Sequence, residues 1–163
     1  MIEIKKFFKK HKKIIIKPIH SYGGNDINLI SGKLNLLKIK QILKKHGHIM
    51  CQKFLNKIKF GDKRVFIING KVCGAISRVP KSGSILSNMS KGAKPKIAFL
   101  SNKELKVSNI IAKKIKKDGI YFAGIDFIDG KLNGDINVTS PTGIKTYFDL
   151  SQINLAKTFW KGL

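Results

Sequence analysis

The segment KRVFIINGKVCGAISRV, residues 63–79, constrains the fold more than any other part of the sequence. Two runs rich in β-branched and aromatic residues meet at Asn69-Gly70. This dipeptide favours a two-residue type I′ turn, because Asn and Gly both tolerate positive φ. The segment therefore predicts an antiparallel β-hairpin with one arginine on each strand.

The other segments predict a mixture of strands and helices around this hairpin. Further strands are predicted at residues 11–18, 48–55 and 120–128, and helices at 34–47, 101–119 and 149–163. Asp129-Gly130 and Asn133-Gly134 predict a turn and a bulge before the chain returns through DINVTS. The fold class is therefore α+β with antiparallel hairpins.

Three details of these elements follow from local sequence signals. Ser101 and Glu104 have the spacing of a capping box, which predicts the start of the helix at 101–119, with Leu105, Ile111 and Ile115 along its apolar side. Asp149 is expected to cap the closing helix. The segment 80–96 is rich in Ser, Gly and Lys and is predicted to be a mobile loop.

The large positive charge of the chain is only weak evidence for a nucleic-acid partner. The net charge is +24 with pI ≈ 10.2, yet of 33 basic residues only Arg64 and Arg78 are arginine. Abundant lysine, isoleucine and asparagine are typical of an AT-rich coding sequence, and base readers usually rely on arginine. Mutational drift therefore ranks first as the cause, RNA binding second, and nucleic acid is an unlikely partner.

The cellular compartment is predicted to be the cytoplasm. Lysines interrupt the apolar residues of MIEIKKFFKKHKKIIIK, so the pattern is not that of a signal peptide, and no run has the length of a membrane span. Cys51 and Cys73 lie in strand-like runs without CxxC spacing, which predicts buried free thiols in a reducing compartment.

Three oxygen donors are predicted to meet on the hairpin near residue 130. Asp135 and Asn137 are two residues apart in a strand, so their side chains share a face, and the hairpin brings Asp126 towards them. Asp126 interrupts an apolar strand, where an unpaired carboxylate would be costly. This set favours Mg²⁺, and the alternative is that Asp135 and Asn137 are surface residues near a turn.

Several cations have patterns that suit anionic ligands. Lys17 ends a strand of three isoleucines shortly before Gly23-Gly24, an arrangement that can meet phosphate oxygens, although most such loops are only turns. Arg64 and Arg78 offer planar guanidinium groups for bidentate binding of carboxylate or phosphate. The alternative for each arginine is an ordinary surface cation.

Together these segments make the chain resemble the ATP-grasp portion of bacterial glutathione synthetase. The resemblance covers residues 12–145, and the combination of GDKRV with NVTSPTGI is specific. The matching runs are IIIKPIHSYGG, MCQKFL, GDKRVFIINGKV, ISRVPKSG, GIYFAGIDFIDGKL and INVTSPTGI.

The resemblance implies an ATP-grasp fold of two α+β lobes with antiparallel sheets flanked by helices, spanning residues 1–163. The implied reaction is the ATP- and Mg²⁺-dependent ligation of γ-glutamylcysteine to glycine through an acyl phosphate. The chain would lack the family's N-terminal domain, so it would be a truncated or split ATP-binding half. A separate N-terminal chain or a homo-oligomer would then complete it.

The resemblance also implies a role for each site residue. Arg64 and Arg78 would be catalytic, stabilising the transferring phosphate or the substrate carboxylate, and Ser140 and Thr142 would face the peptide substrate. Asp126, Asp135 and Asn137 would hold Mg²⁺. The expected ATP-binding residues are Lys17, Gly23, Gly24, Gln52, Lys53, Phe54, Leu55 and Asp62.

Four departures from the family pattern support a second interpretation. Ser21 stands where the phosphate loop usually has glycine, Leu86 where the mobile loop usually has arginine, and Asp135 where the family has glutamate, while Gly134 is an extra hairpin residue. The second interpretation is a degraded protein that binds Mg²⁺-ATP without ligating. A third, a basic nucleic-acid-binding protein on this scaffold, rests on charge alone.

Overall fold

The computed structural model describes residues 1–21 and 23–162, with the side chains of residues 133–135 outside the description. The chain divides into two compact units, Met1–Asn56 and Lys57–Leu163. Each unit has its own antiparallel sheet. The α+β class and the antiparallel pairing predicted from the sequence are confirmed.

The first unit is a three-stranded sheet with two helices. Its elements are α1 (Ile2–His11), β1 (Lys13–Pro18), β2 (Asn28–Ser31), α2 (Leu36–His46) and β3 (Ile49–Lys53). The strand order is β2-β1-β3, with antiparallel pairing throughout. Ile14 and Ile16 alternate along β1 and are fully buried, because residues two apart in a strand point to the same face.

Two elements of the first unit were not predicted. In α1, Ile4, Phe7 and Phe8 have helical spacing and pack against the buried isoleucines, so tertiary packing stabilises a helix that the interrupting lysines obscure. The strand β2 is only four residues long, NLIS, and follows a turn at residues 23–26. Pairing with β1 stabilises this strand, which is too short to show the alternation of apolar and polar residues that identifies a strand in a sequence.

The second unit is a five-stranded sheet with three helices. Its elements are β4 (Asp62–Ile68), β5 (Lys71–Val79), β6 (Lys94–Ile97), α3 (Asn102–Lys117), β7 (Phe122–Ile128), β8 (Lys131–Asn137), α4 (Ile144–Ser151) and α5 (Leu155–Trp160). The strand order is β6-β5-β4-β7-β8, and neighbouring strands are antiparallel. The predicted hairpin therefore provides the two strands β4 and β5 at the middle of the sheet.

The predicted turns of this sheet are confirmed. Asn69 and Gly70 have φ of 48° and 72°, and Asp129 and Gly130 have φ of 53° and 67°, as type I′ turns require. The register of β7 against β8 shifts between Ile125 and Phe127, which confirms the predicted bulge.

The two faces of the sheet support two apolar clusters. On one face Val65, Ile67 and Ile125 pack with Ala112 and Ile115 of α3. The opposite face has a second cluster, composed of Phe66, Ile68, Ile76, Tyr147 and Leu155. Successive residues of β4 thus serve opposite faces, and the central strand is buried on both.

The start of α3 matches the prediction, and its predicted apolar side matches in part, because Ile115 is buried and Ile111 packs against the same core cluster. Ser101 accepts a hydrogen bond from the Glu104 amide, and the Glu104 side chain accepts one from the Ser101 amide, which completes the capping box. Leu105 is 40% exposed, contrary to the prediction. The buried stripe is Glu104, Ser108, Ala112 and Ile115, because the capping box turns Glu104 towards Lys63 of β4.

Two other predictions in the second unit need correction. The segment 149–163 does not form one helix: α4 already contains Asp149, and Asn154 caps α5 by accepting a hydrogen bond from the Lys157 amide at 3.0 Å. The predicted loop 80–96 contains a 3₁₀ turn, Met89–Lys91, and the start of the edge strand β6.

The cysteines and the helices can be compared with the sequence predictions as well. Cys51 and Cys73 are free thiols, as predicted, but they are half-buried rather than buried. Among the residues described, the helices are all too short or too polar to cross a membrane.

The capping box of α3 gives the first testable prediction. Ser101→Ala removes the acceptor for the Glu104 amide and a donor to the Glu104 carboxylate. Loss of such a cap costs about 1 kcal/mol, so the free energy of unfolding should fall by about that amount. Urea unfolding measures it, with Ser31→Ala at the exposed end of β2 as the control. Equal unfolding midpoints for the two variants would contradict the role of the cap.

Candidate functional site

Four charged side chains meet on the three middle strands of the five-stranded sheet, near one end of β4. Strand register brings them together: Asp62 of β4 lies opposite Arg78 of β5, and Arg64 of β4 lies opposite Asp126 of β7. Asp62 and Arg64 are two residues apart, so both side chains lie on the face that also carries Phe66. We call Asp62, Arg64, Arg78 and Asp126 the charge cluster.

The arginines bind the aspartates through paired hydrogen bonds. Arg64 donates from Nε to Asp126 Oδ1 at 2.9 Å and from Nη2 to Asp126 Oδ2 at 2.7 Å. Arg78 donates from Nε to Asp62 Oδ1 at 2.8 Å and from Nη2 to Asp62 Oδ2. The same Nη2 also donates to Asp126 Oδ2 at 2.9 Å, which joins the two pairs into one network.

Burial makes this network energetically important. The exposed fractions are 3% for Asp62, 8% for Arg64, 4% for Arg78 and 4% for Asp126. A buried unpaired charge is strongly unfavourable, but two guanidinium and two carboxylate groups balance, and each charge has a hydrogen-bonded partner. The cluster is therefore tolerated as a set, and removing one member would leave a buried charge without its partner.

The cluster extends to two loops. The Ser87 hydroxyl donates to Asp62 Oδ2 at 2.6 Å, which ties the segment 80–96 to the cluster. Arg64 Nη1 lies 3.4 Å from both the carbonyl oxygen and Oγ1 of Thr142, in the loop between β8 and α4. Residues from three strands and two loops thus surround the guanidinium groups.

The surroundings shift the pKa of the two carboxyl groups in opposite directions. Burial raises the pKa of Asp62, and its hydrogen bond from Arg78 and the charge of Arg78 offset this only in part. Burial also acts on Asp126, but hydrogen bonds from Arg64 and the charges of both arginines outweigh it and lower its pKa. Asp126 is therefore the more strongly stabilised anion of the cluster.

Arg78 is held in its charged form. Burial alone would lower the pKa of Arg78, but the hydrogen bond to Asp62 and the charges of both aspartates raise it above the ordinary arginine value. Its positive charge is therefore a permanent part of the site.

Two residues near the cluster were missed in the sequence prediction. Ser87 follows Leu86 in a Ser-rich loop and had no distinguishing signal. Gly124 is in the interior of β7, and a Cβ there would lie 3.1 Å from Pro141 Cβ and 3.4 Å from Arg64 Nε. A glycine inside a strand often marks such a close approach, and this signal could have identified the position.

The structure describes the surroundings of two of the three predicted magnesium ligands, Asp126 and Asn137. Asp126 belongs to the charge cluster. Asn137 lies opposite Gly124, and its Oδ1 accepts hydrogen bonds from the Thr139 and Ser140 amides at 3.2 and 3.0 Å. The Asp135 side chain lies outside the described residues. Within the described part of the chain, no group of three His, Cys, Asp or Glu side chains is placed to hold a metal ion.

Asp126 has two arginine partners in the charge cluster. An unpaired carboxylate in this strand favoured a metal ion, but the arginines already supply its partners. The burial of Asp126 therefore does not by itself require a metal. Metal binding by Asp126, Asp135 and Asn137 stays a prediction.

The first unit contains the other residues that were predicted to bind ATP. Lys17 is half-buried on β1 opposite Met50, and Gln52 and Lys53 are on β3. Phe54 and Leu55 follow β3, where the Phe54 amide donates to the Lys13 carbonyl at 3.1 Å. Gly23 and Gly24, with φ of 67° and 77°, form part of the turn between β1 and β2. The ligand roles of these residues stay predictions.

Comparison with known sequences identifies related proteins. A model of the family described as prokaryotic glutathione synthetase, ATP-grasp domain, matches residues 1–152. The glutathione synthetase of Rhodopseudomonas palustris is 34% identical over 97% of this chain and 51% of its own length. That of Synechocystis is 32% identical over 94% of this chain and 49% of its own length. The chain thus spans about half the length of these relatives.

Comparison with solved structures identifies the fold. The ATP-grasp ligase PsnB, solved with a minimal precursor, Mg and ADP, superposes with a TM-score of 0.63 at 16% identity, covering 98% of this chain and 49% of PsnB. D-alanine--D-alanine ligase from Bacillus anthracis, solved with ATP, gives a TM-score of 0.58 at 13% identity, covering 97% and 53%. The ATP-grasp fold expected from the resemblance is confirmed.

The charge cluster gives the second testable prediction. Asp126→Asn removes one of the two negative charges of the charge cluster, so the free energy of unfolding at pH 7 should fall by about 3 to 5 kcal/mol. The pKa of Asp126 is lowered by folding, so its stabilisation is present above its ordinary pKa and is lost as pH falls through the lowered value. The deficit of the variant should therefore shrink below about pH 4.

The control for this prediction is Asp149→Asn, which breaks an exposed pair with Lys145 on α4. An exposed pair contributes at most about 1 kcal/mol, so this variant should unfold close to the native protein. Denaturant unfolding at several pH values compares the three proteins. Similar stabilities for the two variants at pH 7 would contradict the importance of the cluster.

Proposed function

Because the chain belongs to the ATP-grasp domain family of prokaryotic glutathione synthetase, we propose that it is the ATP- and Mg²⁺-binding part of a peptide ligase. The proposed reaction joins γ-glutamylcysteine to glycine through an acyl phosphate. One observation carries this proposal: the family match extends over residues 1–152 and includes the whole charge cluster. ATP-grasp relatives solved with ADP and Mg or with ATP support the choice of cofactors.

The charge cluster has the chemistry needed to stabilise a transferring phosphate. A guanidinium group has five N–H donors, and the hydrogen bonds of Arg64 to Asp126 use its Nε and Nη2. Its Nη1 makes contacts of 3.4 Å to Thr142, which are long for hydrogen bonds. This nitrogen is the part of Arg64 best able to exchange a weak partner for a phosphate or carboxylate oxygen.

The aspartates would fix the guanidinium groups in advance. Each arginine is bound in a bidentate manner on a β-strand, so its plane is set before a ligand arrives. Preorganised donors contribute most to catalysis when they do not have to reorganise during the reaction. In the proposed ligase, Arg64 and Arg78 therefore stabilise negative charge on the transferring group, and Asp62 and Asp126 position them.

The described oxygen donors are of the type that suits Mg²⁺. This ion usually takes one or two protein carboxylates, with water and phosphate oxygens completing its shell. A carboxylate has about four acceptor sites, and the hydrogen bonds given above occupy three of those on Asp126. Asp126, Asn137 and Asp135 are the proposed ligands. Bound Mg²⁺ would neutralise charge on the phosphates of ATP.

Residues of the first unit are also proposed to bind nucleotide. Lys17 would contact phosphate oxygens, as would the backbone of Gly23 and Gly24. Residues 52–55 would bind the adenine. Asp62 binds Arg78 through both carboxylate oxygens, so it is proposed to act through that arginine rather than at the ribose. Ser140 and Thr142 would face the peptide substrate. This assignment follows the family resemblance.

A specific position favours a second candidate function. Leu86, which stands where the family resemblance implies an arginine, cannot bind an anion through its side chain. A protein that retains Mg²⁺-ATP binding without ligation would tolerate this change. Formation of ADP and glutathione from γ-glutamylcysteine and glycine by this chain would exclude the second function.

Binding of ATP gives the third testable prediction. Isothermal titration calorimetry of ATP into the chain should show binding that strengthens when Mg²⁺ is present. Asp126→Asn should lose this dependence, provided that circular dichroism shows the variant folded at the assay temperature. Asn137→Ala is a second variant that leaves the buried cluster intact, and it should weaken the Mg²⁺ dependence in the same direction.

The control for the calorimetry is Asp118→Asn, which breaks only an exposed pair with Lys114 on α3. It should bind ATP as the native chain does. Absence of ATP binding by the folded native chain, with and without Mg²⁺, would overturn the proposed function.

A further inference from the structure

The turn that carries the two glycines has an unusual backbone. Gly23, Gly24 and Asp26 all have positive φ, at 67°, 77° and 57°. Glycine adopts such values freely, and aspartate does so more readily than most residues. We call residues 23–26 the glycine turn.

Asp26 ties the glycine turn to the last turn of α2. Its Oδ2 accepts a hydrogen bond from Lys45 Nζ at 3.0 Å. His46 Nε2 is buried and lies 3.1 Å from the same oxygen, without the geometry of a hydrogen bond. The Asp26 carbonyl accepts a hydrogen bond from Asn28 Nδ2 at 2.8 Å, which fixes the end of the turn where β2 begins. One residue thus joins the turn, α2 and β2.

The contact between Asp26 and Lys45 involves one of the few acidic side chains in the first unit. Residues 1–56 contain two acidic side chains, Glu3 and Asp26, among many lysines. The hydrogen bond from Lys45 lowers the pKa of Asp26, and the charges of Lys45 and His46 act in the same direction. A neutral side chain at position 26 would leave Lys45 without this negatively charged partner.

We propose that Asp26 is a positioning residue that anchors the glycine turn to α2 and so holds Gly23 and Gly24 ready to bind phosphate oxygens. The anchoring contact stands on the structure, and the phosphate role rests on the proposed function. Two consecutive glycines lose more conformational entropy on ordering than other residues. An anchor that orders them before the ligand arrives lowers the cost of binding.

The test replaces Asp26 with asparagine in the full chain. Asparagine also adopts positive φ, so Asp26→Asn removes the charge with little change in backbone preference. Asp129→Asn is the matched control, because Asp129 has φ of 53° in a turn and pairs with Lys57 at 2.7 Å. Both variants lose one Asp–Lys pair, but only Asp26→Asn loses a pair at the glycine turn.

Two measurements separate the anchor from the proposed function. Hydrogen exchange of the chain without ligand reports the order of residues 23–28, whether or not ATP binds. Asp26→Asn should speed this exchange by about twofold to fivefold, the range that an exposed ion pair supports, and should weaken Mg²⁺-ATP binding by a similar factor. Asp129→Asn should leave both quantities at their native values.

A double-mutant cycle with Lys45→Gln tests whether the contact itself is responsible. The effects of Asp26→Asn and Lys45→Gln on exchange should be less than additive, because either substitution breaks the same pair. The difference between native and Asp26→Asn proteins should also shrink at 1 M salt, because salt screens exposed charges. A purely steric role for Asp26 would be insensitive to salt.

The outcomes distinguish the two proposals. Unchanged exchange of residues 23–28 in Asp26→Asn would overturn the anchor. Faster exchange with unchanged Mg²⁺-ATP affinity would overturn the phosphate role of the anchored turn, while the proposed function stands. A native chain that does not bind Mg²⁺-ATP would overturn the proposed function and the phosphate role together, and the exchange data would still decide the anchor.

Discussion

The balance of charge between two arginines and two aspartates is the constraint on which the second unit depends. The middle strands of the sheet bury all four side chains, so each guanidinium group must keep a carboxylate partner. Strand register provides these partners, because Arg64 lies opposite Asp126 and Arg78 opposite Asp62. A shift of one residue in either pairing would bury unpaired charges. The cluster therefore specifies the register of the sheet as well as the candidate site.

Pairing of the buried charges explains why the strong positive charge of the chain is compatible with a folded core. The buried acidic residues Asp62, Glu104 and Asp126 each pair with a buried or half-buried cation. The excess lysines lie mainly on the surface, where water screens them. The candidate site accordingly consists of a few matched charges, and it does not involve the lysines that produce the net charge of +24.

Local sequence signals were enough to predict most elements of the fold. Asn69-Gly70, Asp129-Gly130 and the Ser101/Glu104 capping box each act within a few residues, and the structure confirms all three. The missed elements depend on tertiary contacts. Packing against buried isoleucines stabilises α1, and β1 pairs with β2 although β2 is only four residues long.

The candidate site was also predictable only in part, because some of its features are local in sequence and others depend on tertiary contacts. The sequence singled out Arg64, Arg78 and Asp126 by residue type and strand position, and the family resemblance added Asp62. The sequence could not show that the arginines bind these aspartates, because the pairing of the side chains depends on the register between neighbouring strands. The roles of Ser87 and Gly124 likewise follow from contacts with distant residues.

The two arginines also allow a direct test of the proposal that the charge cluster lies at the phosphate site of a nucleotide-binding domain. Since the chain has only Arg64 and Arg78, its ¹⁵N-edited proton spectrum contains two arginine Nε–H signals, and one variant assigns both. If the cluster lies at the phosphate site, the protein without ligand should show two protected signals, and both should shift saturably when Mg²⁺-ATP is added. Binding of Mg²⁺-ATP that leaves both signals unchanged would contradict it.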